Sequence, residues 1–396
     1  MNQKKTRSAG GAVAPAASTA VRASRTHSMS PPIHLAATHS YGSVEGFREA
    51  AASERPVDFY GRYGNATRQA TEAILASLEG GEAALLTASG MAAASTSVAA
   101  LLKAGDHVVA QSLHYAAVGN LVAKVLPRWG IESTLVDQTD AEAFARAVRP
   151  NTRLIIVESP SNPTLALTDL RAVADIARKC GAITLADNTL ATPVNQRPLD
   201  LGIDLVFHSA TKYLGGHSDL LAGAIIGSRK LVDTVWEMSL KLGAILGGFD
   251  SWLLHRGLLT LELRVERQVR SALAAAQFLE AHAKVRTVYY PGLTSHPQHA
   301  LAIRQMRHFG GVVSLLIEGD ADRTNRFLDA LTVFRQAASF GCVESYAVRP
   351  TDMLQRVASA DEFEQSGVPV NLVRLSMGIE SSEVLIADLS QALSHI

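Results

Sequence analysis

The stretch Asp204–Gly216, DLVFHSATKYLGG, passes from an apolar strand pattern directly into a turn of Ser, Thr and Gly that holds a lysine, Lys212. A lysine at a strand end is most often a solvated charge. Here the hydroxyls of Ser209 and Thr211 flank it and suit an anion, while the amine of Lys212 suits an imine with a carbonyl cofactor. Upstream, AITLADNTL ends a second apolar run on Asp187. Carboxylates are rarely buried without a partner. A pyridinium nitrogen is one such partner, and a turn cap shared with Asn188 and Thr189 is the plainer alternative.

Working outward, the surrounding chain alternates short apolar runs with helical patterns. EAALLTAS, HVVAQ, ESTLVD, RLIIVES, AITLAD and DLVFHSA read as buried strands. TDLRAVADIARKCG reads as a helix opened by Thr168 with Asp169 in its first turn. ATRQATEAILASLEGG spaces Ala70, Ile74 and Leu78 four apart and stops at Gly80-Gly81, as an amphipathic helix with a glycine C-cap should. Continuous apolar runs joined by helices predict a mostly parallel sheet covered on both faces, ending near residue 255. Beyond Asp250 a long helical stretch, broken once, leads into VRTVYYP, GGVVSLLIEG, VFRQAASFG and NLVRLSMGI, separated by three helical segments. That pattern predicts a smaller α+β domain.

Composition narrows the function. The 396 residues include 37 basic and 37 acidic side chains, so the formal net charge is +0 and neither nucleic acid nor an anionic membrane is favoured as partner. The apolar stretch Met91–Leu102 falls well short of the roughly 20 residues that span a bilayer, so no membrane helix is expected. Two cysteines, Cys180 and Cys342, build no disulfide framework or zinc cluster, which fits a reducing, cytoplasmic setting. Before Glu45 there is no acidic residue, and the start is rich in Ala, Ser, Gly and Arg. We read residues 1–18 as a disordered tail.

Two further segments carry chemistry of their own. TASGM, Thr87–Met91, stands between a strand and a helix, where backbone N–H groups point outward and hold phosphate, although Ser and Gly are also ordinary caps. ESPSNPT, Glu158–Thr164, ends a strand in a turn with two prolines that presents Asn162.

Taken in order, FYGRYGNATR, TASGMAA, ESPSNPT, ADNTLATP, HSATKYLGGHSD, RGLLTLELR, YYPGLTSHPQH, SFGCVES and VRLSMGIE resemble the Cys/Met metabolism (trans-sulfuration) family of pyridoxal 5'-phosphate (PLP) enzymes. The likeness runs from about residue 19 to the C-terminus. It implies an α/β fold of PLP-dependent transferase type I, with a mostly parallel seven-stranded sheet domain over residues 66–255 and a smaller α+β domain over 256–396. An N-terminal arm, 19–65, would contact a neighbouring subunit in a homotetramer of active dimers. By position, Lys212 looks like the Schiff-base lysine and Asp187 the pyridinium partner. Gly90, Met91, Ser209 and Thr211 look like the phosphate ligands, helped in trans by Tyr60 and Arg62. Tyr115 resembles the tyrosine stacked on the ring and assisting the leaving group, and Asn162 the amide near its phenolic oxygen. Arg374, with Ser339, resembles the fork for the substrate carboxylate.

The resemblance implies γ-replacement or γ-elimination on a homoserine- or homocysteine-derived amino acid, with a β-lyase, or a specialised γ-lyase or γ-synthase acting on a non-standard amino acid, as alternatives. Several residues depart from the family pattern. Tyr115 is followed by Ala116, Ala117 and Val118 where a hydroxyl is common, and Ala338 stands where a glutamate often precedes the serine. Arg349, in Val348-Arg349-Pro350, replaces a usual histidine, and we expect it to recognise an acidic distal group. A dinucleotide-binding enzyme is disfavoured, because no G-x-G-x-x-G follows the first strand.

Overall fold

A computed structural model describes residues 29–354, 368, 369 and 371–396 of the chain. The expected tail, 1–18, and the first part of the expected arm lie outside the described residues.

Most of the apolar runs form buried strands, whereas Glu132–Val136, expected to be buried, lies at the sheet edge with Glu132 and Leu135 exposed. In chain order the first half contains α1 (Val44–Ala52), α2 (Ala66–Glu79), β1 (Ala83–Thr87), α3 (Gly90–Leu101), β2 (His107–Gln111), β3 (Glu132–Val136), α4 (Ala141–Ala147), β4 (Thr152–Glu158), α5 (Leu170–Cys180), β5 (Ile183–Asp187), β6 (Leu205–Ser209), β7 (Gly223–Gly227) and α6 (Arg229–Leu242). The seven strands make one sheet in the order β1-β7-β6-β5-β4-β2-β3. Strands β2 to β6 pair in parallel, whereas β7 is antiparallel to both β6 and β1 and is the single reversed strand. The mostly parallel sheet expected from the sequence is therefore present. The six quoted runs all form strands, and the seventh, GAIIG, is a short apolar run without a helix before it.

Alternate side chains of each strand enter different cores, as the two-residue period of a strand requires. Leu86, Ala224 and Ile226 pack with Ile74 and Leu75 of α2, while Leu85, Ile225, Leu154 and Ile156 pack with Val98 of α3 and Val232 and Val235 of α6. Ile155, Val157 and Val206 meet Val173 and Ala177 of α5. Asn65 caps α2 by accepting from the amides of Thr67 and Arg68, and Gly80 ends it at φ +76°, a left-handed conformation cheap only for glycine. The N-cap of α5 is Asp169, one residue later than the sequence reading placed it, because its carboxylate accepts from the Ala172 amide.

The second half begins with α7 (Gly248–Leu258) and α8 (Leu261–Glu280), the broken helix expected from the sequence. It continues through β8 (Val285–Tyr289), α9 (His299–Gln305), β9 (Val312–Ile317), α10 (Ala321–Ala330), β10 (Arg335–Gln336), β11 (Tyr346–Val348), β12 (Leu372–Ser376) and α11 (Ser382–Ser394). These strands make a second sheet, β10-β11-β12-β9-β8. Its core joins Ala272, Ala276 and Leu279 of α8 to Val313, Leu315, Val373 and Leu375 and to Leu385 and Leu389 of α11. The segment VFRQAASFG yields only the two-residue strand β10, because the chain then turns to bring Ser339 to φ +101°.

Ile74 is completely buried in the core that supports β1 and β7. Ile74→Ala should cost about 2–5 kcal/mol, read as a lower urea midpoint.

Candidate active site

In an open α/β sheet, ligands bind beyond the carboxyl ends of the strands, where loops diverge. Such a cavity, about 490 Å³, opens at the ends of β1, β2, β4, β5 and β6. It is lined by Gly90 and Met91 at the start of α3, by Tyr115 after β2, and by Glu158 and Asn162 at the end of β4. Asp187 and Thr189 follow β5, Ser209, Thr211 and Lys212 follow β6, and Ala338, Ser339, Phe340 and Arg374 come from the second half of the chain. Every sequence-predicted site residue lines this cavity except Tyr60, Arg62 and Arg349.

The cationic side is built from two halves of the molecule. Lys212 Nζ donates to Ser339 Oγ at 2.8 Å, and Arg374, on β12, donates from Nη2 to the Ser339 carbonyl at 2.8 Å and from Nη1 to Asn162 Oδ1 at 2.9 Å. The positive φ of Ser339 costs a non-glycine residue about 1–3 kcal/mol, and it lets the hydroxyl and carbonyl of one residue serve both cations. The Phe340 ring faces both, with Lys212 Nζ 5.2 Å and Arg374 Cζ 5.4 Å from its centroid. Burial, reinforced by the charge of Arg374, lowers the Lys212 pKa to about 8. Burial likewise lowers that of Arg374 to about 10. The Arg374 Nε is buried without a partner, so the fork retains an unused donor.

The anionic side is a pair of acids. Glu158 and Asp187 are register partners at the ends of β4 and β5, and both are buried. Burial pushes the Asp187 carboxyl above its ordinary range, against the hydroxyl and amide of Thr189 and the charge of His208. Burial and the adjacent Asp187 push Glu158 well above its own, against the amides of Tyr115 and Asn162. Asp187 Oδ1 accepts from the Thr189 amide at 2.9 Å, so the turn cap weighed from the sequence forms as well, and the same side chain lines the cavity. Beneath it, His208 and Glu79 form a fully buried pair at 2.6 Å.

Gly90 shows why its neighbourhood tolerates no side chain. A Cβ there would lie 2.7 Å from Ser209 Cβ, so the first amides of α3 stand directly beside the Ser209 hydroxyl. The amides and hydroxyls converge as an anion cradle at the positive end of a twelve-residue helix.

Tyr60 and Arg62 stand elsewhere. Tyr60 is exposed, while Arg62 donates to the Leu240 carbonyl at 2.8 Å and packs over the rings of Tyr60 and Tyr63. Arg349 does not line the cavity, and its guanidinium forms a two-pronged bond to Asp352, at 2.9 and 2.7 Å. Two of its five N–H donors serve this neighbouring carboxylate, and the structure places it apart from the cavity lining where the acidic distal group was expected. Glu158 was missed as a functional candidate. Its signal was the same as that of Asp187, an acid ending an apolar strand, but the two prolines that follow drew the reading to Asn162.

Residues 16–394 match the family model described as Cys/Met metabolism PLP-dependent enzyme. The chain belongs to this family. It is 42% identical to a cystathionine gamma-lyase of Bacillus subtilis (strain 168), over 94% of this chain and 96% of that protein, and 42% identical to an L-methionine gamma-lyase of Pseudomonas putida, over 92% of each. The crystal structure of a cystathionine gamma synthase from Xanthomonas oryzae pv. oryzae, in complex with aminoacrylate and cysteine, superposes with a TM-score of 0.90 at 37% identity. That alignment covers 96% of this chain and 98% of the other.

As a member of this family the chain is a PLP-dependent enzyme of fold type I, and its cavity fits the cofactor on its own chemistry. Two buried acids side by side at neighbouring strand ends call for a cationic ring nitrogen, and the Gly90 cradle calls for a phosphate. An amine with a pKa near 8 is nucleophilic in mildly alkaline water, unlike a solvated lysine. Because burial lowers this pKa, protonated Lys212 is an unfavourable group in the folded chain below pH about 8, and that cost fades as pH rises from about 8 to 10.5. Uptake of PLP by the cofactor-free protein should therefore accelerate with pH, reaching half its plateau rate near pH 8. Stopped-flow absorbance measures it, and Lys212→Ala should abolish the pH-dependent phase.

Proposed function

We propose that this enzyme acts at Cγ of a homoserine- or homocysteine-derived amino acid, by γ-elimination or γ-replacement. The observation that carries the reading is the chain of contacts Lys212–Ser339–Arg374–Asn162. It sets a carboxylate-binding fork and a reactive amine side by side in one cavity, with the Tyr115 side chain on its wall. The γ-lyase and γ-synthase names of its relatives support the position of attack.

Bound here, PLP supplies an aldehyde for an amine and an electron-accepting ring that acidifies the substrate carbon. In this reading Lys212 anchors the cofactor and, once free, moves protons at Nζ, for which its lowered pKa suits it. Asp187 would keep the ring nitrogen protonated, and the amides of Gly90 and Met91 and the hydroxyls of Ser209 and Thr211 would hold the phosphate. Arg374 binds the α-carboxylate through its planar fork, assisted by Ser339, and Asn162 orients that fork by accepting from Nη1. Tyr115, on the cavity wall, would pack against the ring and would supply a proton to a departing group.

The assembly we propose is a homotetramer of two active dimers working in the cytoplasm, with residues 66–255 as the cofactor domain and 256–396 as the smaller domain. Helix α1 buries none of its residues against its own chain, and Leu35, Val44, Phe47 and Tyr60 are exposed around it. An apolar arm of this kind is suited to a neighbouring subunit, where Tyr60 and Arg62 would reach the phosphate in trans.

The purified protein should be yellow, and the colour should vanish in Lys212→Ala. It should form 2-oxobutyrate and ammonia from at least one of cystathionine, O-succinylhomoserine, O-acetylhomoserine, homocysteine and methionine. Diversion of that product to cystathionine by added cysteine identifies γ-replacement. Arg374→Ala should raise KM by a factor of ten or more, from the loss of a charged hydrogen-bonded pair worth about 1.5–3 kcal/mol. Pyruvate from cystathionine, with no 2-oxobutyrate, would instead establish Cβ chemistry.

A further inference from the structure

We infer that Glu158 is a positioning residue, a two-armed brace that holds the loops bearing Tyr115 and Asn162 in one fixed relation. This rests on the roles proposed above for Tyr115 and for the Asn162–Arg374 contact. Glu158 Oε2 accepts from the Tyr115 amide at 2.6 Å and Oε1 accepts from the Asn162 amide at 3.0 Å. The two amides belong to different loops, one after β2 and one after β4, and no backbone bond between those loops is needed to align them. The brace is itself clamped. Gln111 at the end of β2 donates from Nε2 to the Glu158 carbonyl at 3.0 Å and accepts from the Glu158 amide at 2.8 Å, which leaves the side chain as the only adjustable part.

The chemistry specifies an acid. Two N–H donors face the end of this side chain, and a carboxyl group presents an oxygen to each. Glutamine would satisfy one and turn an NH₂ group towards the other. Nor is Glu158 held in place by an ion pair: among the described residues its nearest cationisable neighbour is His114, 4.0 Å away, whose burial lowers its pKa to about 3 and leaves it neutral. The two amides therefore account for the orientation of a carboxylate that is expensive to bury beside Asp187. A residue retained at such cost, and bonded through both oxygens to two residues of the cavity wall, acts through them.

The test uses the holoenzyme and the substrate found most active in the assay above. Glu158→Gln should lower kcat by about 10–100-fold, the usual effect of losing an orienting partner behind a reacting group. Cofactor content and thermal midpoint should stay near those of the unaltered enzyme, and the visible circular dichroism of the bound cofactor should change. In the Tyr115→Phe background the same substitution should cost clearly less than it does alone, because one of the two residues through which it acts is already disabled. Glu158→Asp keeps the charge but cannot reach both amides, so it should show the same pattern, and it carries the test if Glu158→Gln does not fold. A kcat within twofold of the unaltered enzyme, a loss matched by lost cofactor, or a full multiplicative penalty in the double variant would overturn the brace. Tyr115→Phe with unchanged kcat would overturn the role assigned to Tyr115 and the brace with it, a result recognisably different from additivity.

Discussion

The bond from Lys212 Nζ to Ser339 Oγ ties the end of one sheet to a loop beside the other and brings the two halves of the site together. Lys212 follows β6 of the seven-stranded sheet, whereas Ser339 lies between β10 and β11 of the five-stranded sheet. The same serine carbonyl receives Arg374, whose other arm reaches back to Asn162 after β4. One short chain of hydrogen bonds thus crosses between the two sheets and returns. In the low dielectric of a buried site such bonds are stronger than in water, and any member left unsatisfied is costly. The division of labour follows: one sheet supplies groups suited to a cofactor, and the other supplies the fork for an amino acid.

Opposite the cation pair stand Glu158 and Asp187, two acids buried on adjacent strands. Nothing in hydrophobic packing favours this arrangement, and both carboxyl groups are raised above their ordinary range. The fold tolerates it by local hydrogen bonding: two amides on Glu158, and the amide and hydroxyl of Thr189 for Asp187. The cavity wall thus carries an amine and a guanidinium as well as two acidic side chains, groups suited to an amino acid carboxylate and to a cationic ring.

The parallel sheet was legible in the chain because its strands are unbroken apolar runs, and Lys212 and Asp187 stood out as charges at the ends of such runs. Strand β7 was not, since GAIIG resembles any short apolar run and its reversed direction depends on partners far away in sequence. The engagement of Arg349 by Asp352, three residues on, was not legible, because a sequence carries no sign of which carboxylate the Nε and Nη2 of an arginine will meet. Glu158 escaped because its role lies in accepting backbone amides, and amide donors carry no sequence signature.

The reversed strand also bears on how the molecule comes together. β7 sits between β1 and β6, so the start of the sheet cannot join the rest until a strand made much later in the chain has entered the gap. A Cβ on Gly223, at the entry to β7, would lie 2.1 Å from the Ser89 carbonyl, which shows how tightly that late strand presses on the loop leading into α3. Contacts between segments so distant in sequence form slowly, because loop closure is paid before they are made. The anion cradle at Gly90 thus depends on a strand contributed from far along the chain, and its shape is inseparable from closure of the sheet.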